Sequence, residues 1–272
     1  MYENPGEGSL DYCVCRYGHS RLLFRGPKRK LDVPYCAIVG GTETYGKFIE
    51  TPYPALLEQQ TGLPVINLGC VNAGIDAFMN DSAVAEICAG ARVSVVQTLG
   101  AQNLSNRFFT VHPRRNDRFV RASKTMKAVY PEVDFTEFHF VRHMLVTLRD
   151  TSPERFALVE YELKTAWVAR ISALARGIPG KTVLLHVSAP PREGEGDLGP
   201  EPLFIDEEMI AGAGAEFDRV VQVAPSDAAR AAGTDGMIFA PLDAPAAREM
   251  AGPAIHREVA AALEPVVSAL MR

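Results

Sequence analysis

Residues 36–74 decide the fold of this chain, and they read CAIVGGTETYGKFIETPYPALLEQQTGLPVINLGCVNAG. Two short apolar runs, at 37–39 and 65–66, lead into glycine-containing loops, as buried parallel strands do. Between them Pro52 favours the start of a helix and Gly62 favours its end. The stretch therefore predicts a strand, a tight loop, a helix and a second parallel strand. Folds of this kind bind ligands at the carboxyl ends of their strands.

The same alternation of strand and helix continues through the rest of the chain. Alternation at this spacing is typical of βαβ units, which build a parallel sheet covered by helices on both faces. We therefore predict an α/β fold of three layers (α/β/α) around a five-stranded, mainly parallel sheet. The predicted strands cover 35–41, 64–68, 93–99, 181–187 and 218–223, and a polar surface loop covers 189–202. The predicted helices cover 46–61 with its leading loop, 76–91, 134–149, 152–176, 204–216, 225–232 and 246–271.

The chain is predicted to form a single α/β domain at 34–272, preceded by an N-terminal arm at 1–33. A length of 272 residues suits one large domain, and no internal repeat or linker divides it. In the arm, Phe24 stands between arginines, and two interpretations stay open. Either Phe24 packs on the core as part of an edge strand, or the arm brings Arg21 or Arg25 to an anionic ligand, which a guanidinium group can bind in bidentate fashion.

Composition and charge exclude several classes of function. The net charge of −5 and the pI of about 5.7 argue against a nucleic acid polymer as partner. No apolar run approaches the roughly 20 residues that span a bilayer, and the N-terminus lacks the pattern of a secretory signal. The five cysteines favour free thiols in a reducing compartment, and the Cys13-Val14-Cys15 pair lacks a second pair at metal spacing. We expect a cytoplasmic protein without cofactor or metal, and homo-oligomer formation stays open.

A long basic insertion follows the third predicted strand. It occupies about 104–150 as loop and helix, and Asp117 is the one acidic residue between Gly100 and Tyr130. Loops this long in a compact domain are functional or disordered, and the aromatic residues here argue against disorder. We therefore predict that the insertion covers the ligand pocket and binds an anionic group. Its basic residues up to position 131 are Arg107, Arg114, Arg115, Arg118, Arg121, Lys124 and Lys127.

Four short blocks stand at predicted strand ends and before the last helix. They are Gly40-Gly41-Thr42-Glu43-Thr44-Tyr45-Gly46, Asn67-Leu68-Gly69, Gly100-Ala101-Gln102-Asn103 and Asp243-Ala244-Pro245-Ala246. Over about 34–270 the chain resembles the SGNH (GDSL) hydrolases, whose blocks are GDSxxxG, a glycine after the second strand, GxND and DxxH. The resemblance implies a sheet in flavodoxin-like strand order, a nucleophile in the first block and an oxyanion hole from the second and third.

The blocks depart from the family pattern at the catalytic positions. Thr42 stands at the position of the nucleophilic serine, and Gly41 replaces the aspartate before it. Ala246 stands at the position of the base and cannot accept a proton. An acyl-transfer triad needs a hydroxyl, a base within hydrogen-bond reach and an orienting acid. The usual Ser-His-Asp triad is therefore absent, and Thr42 needs another base if it acts as a nucleophile.

Three residues are candidates to replace that base. Glu43 follows Thr42 directly, and its carboxylate serves either as a general base or as a group that caps the following helix. His112 lies in the basic insertion and is the histidine best placed to fold over the strand ends. His256 lies in the predicted last helix, where we expect it on a solvated face.

Three functions follow from these residues. We predict a repurposed SGNH-like pocket that binds or acts on a small anionic molecule: a phosphorylated, sulfated or carboxylated sugar, a lipid head group or a nucleotide. One alternative is an esterase or acyltransferase, acting on an ester-type bond with Thr42 as nucleophile and the Gly69 N–H in the oxyanion hole. The other is a non-enzymatic domain that docks an acidic partner. The residues expected to bind substrate are Gly41, Gly69, Asn72, Gln102, Asn103, Arg107, Arg114, Arg115 and Arg118.

Overall fold

Five parallel strands form the centre of the computed structural model, which describes residues 10–188 and 198–272. Within these residues the strands are β1 (Cys36–Gly40), β2 (Val65–Gly69), β3 (Val93–Gln97), β4 (Phe109–His112), β5 (Arg115–Ala122), β6 (Lys181–Val187) and β7 (Arg219–Val223). The main sheet has the order β2-β1-β3-β6-β7, with every pair parallel. Helices flank it, so the predicted α/β fold class and its flavodoxin-like order are confirmed. Residues 1–9 of the arm and 189–197 of the predicted surface loop lie outside the described residues.

The helices of the described residues surround this sheet. They are α1 (Thr42–Tyr45), α2 (Tyr53–Thr61), α3 (Ile75–Met79), α4 (Ser82–Gly90), α5 (Lys124–Val129), α6 (Val141–Thr151), α7 (Pro153–Arg176), α8 (Glu207–Gly214), α9 (Asp227–Ala231), α10 (Ala244–Arg248) and α11 (Pro253–Met271), with 3-10 turns at Phe135–Glu137 and Pro241–Asp243. No helix of the described part of the chain is long and apolar enough to cross a membrane.

Strand β1, which lies between β2 and β3, is buried along its whole length, and its side chains alternate between two cores. Ile38 belongs to the core beneath α2 and α11, whereas Val39 belongs to the core beneath α3, α4 and α7. Successive side chains of a strand point to opposite faces of a sheet. A strand covered on both faces therefore has no polar position, which explains why the sequence here is a continuous apolar run.

The longest helix, α7, begins and ends where the sequence predicts. The Ser152 side chain accepts the N–H of Arg155 at its start, with Pro153 in the first turn. Trp167, in the middle of the helix, is fully buried, and its indole N–H donates to the Leu99 carbonyl at 2.7 Å. This hydrogen bond ties α7 to the loop that follows β3.

The predicted helix at 76–91 is wrong in one respect, because the structure contains two helices there. The break lies at Asp81, whose side chain accepts the N–H groups of Ala83 and Val84 and starts α4. The same carboxylate accepts the Ser20 hydroxyl at 2.7 Å, so a residue far away in the chain holds the break in place. Asp side chains bonded in this way favour a helix start over a helix interior.

Two further helices begin later than the sequence predicts. In place of one helix at 134–149, Phe138 and Phe140 are extended, and Phe140 forms an antiparallel bridge with Arg118. At the end of the chain, 246–271 is split, and the last helix restarts at Pro253 after the extended Gly252. Proline in the first helical turn costs no hydrogen bond, which makes this restart favourable.

The basic insertion contains an antiparallel hairpin of β4 and β5, where the sequence predicted loop and helix. Phe109 and Phe119 fix the hairpin, since both are buried and their ring centroids lie 6.3 Å apart. The side chain of Asn116, in β5, is also fully buried. It accepts the Gly74 N–H at 2.8 Å and donates to the His112 carbonyl at 3.0 Å. The hairpin is therefore attached firmly to the domain.

The described part of the arm folds back on the domain. Phe24 is fully buried and pairs through its backbone with Cys15, which confirms that it packs on the core. Arg25 is also buried, and its guanidinium donates to the carbonyls of Gly46 and Glu50 at 2.5 and 2.8 Å. Arg25 therefore holds the loop after α1, while the interpretation that the arm brings Arg21 to an anionic ligand stays a prediction.

Replacing Trp167 with Phe tests the contact between α7 and the loop after β3. The change leaves the buried Leu99 carbonyl without a donor and removes ring volume, so we expect the free energy of unfolding to fall by about 2–4 kcal/mol. Urea unfolding followed by circular dichroism measures it. Leu158→Ala, on the exposed side of the same helix, serves as control and should change stability by less than about 0.5 kcal/mol. Equal midpoints for the two variants would contradict the assigned role.

Candidate functional site

A cleft of about 640 Å³ opens at the carboxyl ends of the parallel strands. The chain leaves β1 towards β2 on one side and returns to β3 on the other, so the loops after β1 and β3 diverge and leave a crevice between them. Ligands of doubly wound sheets bind at this switch point. The lining from strand-end loops comprises Gly41, Thr42, Glu43, Thr98, Leu99, Gly100, Gln102, Asn103, Ser188 and Pro225.

The first side of the cleft is α1, which starts directly after β1. A Cβ atom on Gly40 would collide with the Thr44 hydroxyl, and one on Gly69 would collide with the backbone of Tyr45. Glycine at both strand ends therefore lets α1 lie directly over them. The Gly69 N–H donates to the Asn67 side chain at 2.8 Å and does not line the cleft, so the structure does not place it as an oxyanion donor.

The Thr42 hydroxyl lines the cleft and is held by Asn72. It accepts the Asn72 N–H at 3.0 Å and lies 3.4 Å from the Asn72 side-chain oxygen, to which it donates. Asn72 has a φ of 56°, a left-handed conformation that asparagine tolerates better than most residues. The hydroxyl proton therefore points to an amide, which cannot remove it.

Glu43 lines the cleft next to Thr42 and lies in the first turn of α1, where the helix dipole favours a carboxylate. The Gln97 side-chain N–H, at the end of β3, donates to Glu43 at 3.4 Å. Gln97 also accepts the Thr44 hydroxyl, which lies 2.6 Å from the Tyr53 hydroxyl. A buried polar chain thus runs beneath the cleft and holds the Glu43 side chain through Gln97.

None of the six histidines of the chain lines the cleft. His112 lies in the turn of the hairpin, and its ring nitrogen accepts the N–H groups of Arg114 and Arg115 at 3.3 and 3.2 Å. The structure therefore does not bring His112 to Thr42. Ala246 lies in α10, and the segment that follows it lines the cleft with Arg248 and Glu249, so no histidine of the described residues stands there either.

The expectation that His256 lies on a solvated helix face is wrong. The side chain is buried, its ring stacks on Tyr53, and its Nδ1 accepts the Tyr53 N–H at 3.0 Å. Burial, together with the nearby Arg25 guanidinium, lowers the pKa of His256 to about 3. His256 is therefore a neutral structural residue behind α2, because α11 packs on α2 through this face.

The four arginines that the sequence analysis expected to bind substrate, Arg107, Arg114, Arg115 and Arg118, lie outside the cleft lining. Arg107 binds Glu162 on α7, with Nε 2.7 Å from the carboxylate, and Arg118 stacks on Phe140 at 4.0 Å from the ring centre. Arg114 and Arg115 are exposed in the hairpin turn. The hairpin contributes Asp117 to the cleft instead, and Asn72 donates to its Oδ2 at 3.4 Å.

Three arginines that the sequence did not single out line the cleft. Arg142 pairs with Glu201, which also lines it, and Arg230 pairs with Asp227 and the Pro225 carbonyl. Arg248 forms no ion pair within the part of the chain that the structure describes. No local pattern marks these positions, because they come from α6, α9 and α10 and meet only through packing. Gln97 and Ser188 lie at the ends of predicted strands, so their place in the cleft could have been predicted from the sequence.

The cleft combines carboxylates, guanidinium groups, amides and hydroxyls. Its acidic side chains are Glu43, Asp117, Glu201 and Glu249, and its neutral polar ones are Thr42, Asn72, Gln97, Thr98, Gln102, Asn103 and Ser188. Among the described residues, no three His, Cys, Asp or Glu side chains come together to hold a metal ion. Such a lining suits a small polar molecule that both donates and accepts hydrogen bonds.

Fold and cleft together define a doubly wound α/β protein with a polar cleft at the switch point of its sheet. The chain belongs to the family described as "Domain of unknown function (DUF6473)", whose profile matches residues 1–271. No curated protein sequence matches it. A solved structure of a family two carbohydrate esterase from Clostridium thermocellum, in complex with cellohexaose, is similar over 90% of this chain and 67% of that one. The TM-score is 0.42 at 11% identity, too distant to support an argument.

The pH dependence of stability tests the buried state of His256. An unfolded histidine takes up a proton below about pH 6.5, whereas His256 in the folded protein does so only near pH 3. The unfolded state therefore binds more protons in this window, and folded-state stability falls as the pH drops. His256→Asn keeps an acceptor for Tyr53 but has no such proton.

Urea unfolding of both proteins at pH 7.5, 6.0 and 5.0 measures the effect. Below about pH 6 the wild type should lose about 1.4 kcal/mol per pH unit more than His256→Asn does. Parallel pH profiles for the two proteins would show that His256 is not buried in its neutral form.

Proposed function

We propose that this protein binds, or acts on, a small anionic molecule in the cleft, without a Ser-His-Asp triad. The ligand class is a sugar, lipid head group or nucleotide that carries phosphate, sulfate or carboxylate. The observation that carries the proposal is the guanidinium group of Arg248, which lines a polar cleft and has no ion pair among the described residues. A planar guanidinium binds such anions in bidentate fashion.

In this proposal Arg248 supplies the positive charge that binds the anion, and Arg142 and Arg230 support it. Arg142 and Arg230 already have carboxylate partners, so each adds little net positive charge to the cleft. The hairpin arginines, such as Arg118, contact the protein surface or solvent outside the lining. An anion in the cleft would therefore gain most from Arg248, since a charge-assisted bond is stronger when its donor is not already paired.

Thermal unfolding with phosphate or sulfate tests the anion site. For a dissociation constant of about 1 mM, 10 mM anion stabilises the folded state by about 1.4 kcal/mol, which corresponds to about 2–4 °C in Tm. We expect this shift in the wild type and its loss in Arg248→Ala. Arg114→Ala changes an exposed arginine of the hairpin turn and should keep the full shift. The proposal fails if no anion raises Tm, or if Arg248→Ala responds as the wild type does.

Ester chemistry at Thr42 is the second candidate function. The observation that favours it is the position of the Thr42 hydroxyl, which lines the cleft at the end of β1 beside the Glu43 carboxylate. In such a reaction the Thr42 oxygen would bond to the ester carbonyl carbon, and Glu43 would take its proton and pass it to the leaving alcohol. Water would then release the acyl group. This function ranks second because the hydroxyl proton points to the Asn72 amide.

Turnover of p-nitrophenyl acetate by the wild type and by Thr42→Ala separates the two functions. We expect equal, near-background rates, because a hydroxyl without a base in reach is a weak nucleophile. Loss of triad function in a working hydrolase costs several powers of ten in rate. A drop of about a hundredfold or more in Thr42→Ala would therefore reverse the ranking and assign the nucleophile to Thr42.

A further inference from the structure

We propose that Asp117 and Gln102 form a subsite that accepts hydroxyl groups, so that the ligand of the cleft is a polyhydroxylated, sugar-like molecule. The inference rests on the proposed function in that it takes the same cleft as the ligand site. It deepens that function by choosing one class among the anionic ligands. Its basis is a pair of oxygen atoms, Asp117 Oδ1 and Gln102 Oε1, which are buried and have no hydrogen-bond partner among the described residues.

Unpartnered buried acceptors are rare in folded proteins, because an acceptor shielded from water without a donor is costly. Both oxygens belong to side chains that line the same cleft. Other buried side-chain polar atoms of the described residues have partners, as the Thr44 hydroxyl and Gln97 do beneath the cleft. The two exceptions therefore lie where a ligand would provide the missing donors.

The hairpin holds Asp117 in a fixed position. Before it, the buried Asn116 side chain binds the backbone of Gly74 and Ala77 at 2.8 and 3.2 Å. After it, the Phe119 N–H donates to the His139 carbonyl at 3.0 Å. The Oδ2 atom of Asp117 receives Asn72 at 3.4 Å, which leaves Oδ1 as the acceptor for a ligand. An acceptor fixed in this way is preorganised for binding.

Gln102 is held by its fit against the backbone of its own loop. Its carboxamide lies against Gly100, where a Cβ atom would collide with Oε1. The absence of a side chain at position 100 therefore leaves room for the Gln102 carbonyl beside the backbone. The group in the way is the end of a flexible side chain, so Gly100→Ala would move Gln102 while leaving the backbone in place.

The chemistry of two acceptors selects the ligand. A phosphate dianion, a sulfate or a carboxylate presents acceptors alone and cannot satisfy either oxygen. Hydroxyl groups donate to Asp117 and Gln102 and can accept in turn from amide neighbours such as Asn103, which lines the same cleft. A molecule with several hydroxyl groups and one anionic group therefore matches both the acceptors and Arg248.

Calorimetric titration with two matched ligand sets tests the subsite. The first set contains pentose and hexose phosphates, and the second contains n-butyl phosphate, which has the charge without the hydroxyl groups. Neutral pentoses and hexoses form a third arm. We expect the tightest sugar phosphate to bind the wild type at least about tenfold more tightly than butyl phosphate does, as the loss of a hydrogen bond to a charged acceptor implies.

Two variants test whether the preference for sugar phosphate depends on the subsite. Asp117→Ala and Gly100→Ala should each reduce the tenfold ratio to about twofold or less, through weaker binding of the sugar phosphate. If Asp117→Ala does not fold, Gly100→Ala carries the test through Gln102. Asp32→Ala, at an exposed aspartate outside the cleft, is the control and should keep the full ratio.

The outcomes separate this inference from the proposed function. Equal affinity of the wild type for butyl phosphate and sugar phosphates overturns the inference and leaves the anion site standing. Binding of neutral sugars without any anion supports the inference and overturns the anion site. If both variants keep the tenfold preference for sugar phosphate over butyl phosphate, the assignment of Asp117 and Gln102 is overturned. If the wild type binds none of the ligands, both proposals are overturned.

Discussion

The parallel pairing of β1 between β2 and β3 is the constraint on which the rest of this structure depends. It brings three strand ends to one edge and forces the loops after β1 and β3 apart, which creates the cleft. The pairing also requires glycine at Gly40 and Gly69, because α1 lies directly over both strand ends. A side chain at either position would lift α1 and, with it, Thr42 and Glu43 from the cleft.

Beneath this edge, the protein buries a layer of polar side chains that satisfy one another. The Thr44 hydroxyl lies between Gln97 and Tyr53, and the Tyr53 backbone in turn donates to the neutral ring of His256. Burial without partners would be costly, so these bonds fix the rotamers of the layer. The cleft above it consequently has a floor that is rigid as well as polar, and a floor of this kind can orient a ligand.

The position where the resemblance implies a catalytic base holds Ala246. Ala246 leads into a segment that presents Arg248 and Glu249, and the hairpin adds the carboxylate of Asp117. A guanidinium group cannot act as a base at neutral pH, but it holds anions well. A fold by itself does not specify a reaction, which depends on the side chains at the strand ends.

The sequence by itself determined the sheet and the edge that carries the cleft, because buried parallel strands appear as apolar runs and glycine marks their ends. The strand order came only as what the resemblance to a known family implies. The sequence also placed Thr42, Glu43, Asn72, Gln102 and Asn103 in that cleft. Only the tertiary structure decided where the hairpin goes, that Arg118 stacks on Phe140, and that His256 is buried. These facts depend on contacts between residues far apart in the chain, and local periodicity carries no information about such contacts. For the same reason, only the folded chain brings Asp117, Gln102 and Arg248 to one site.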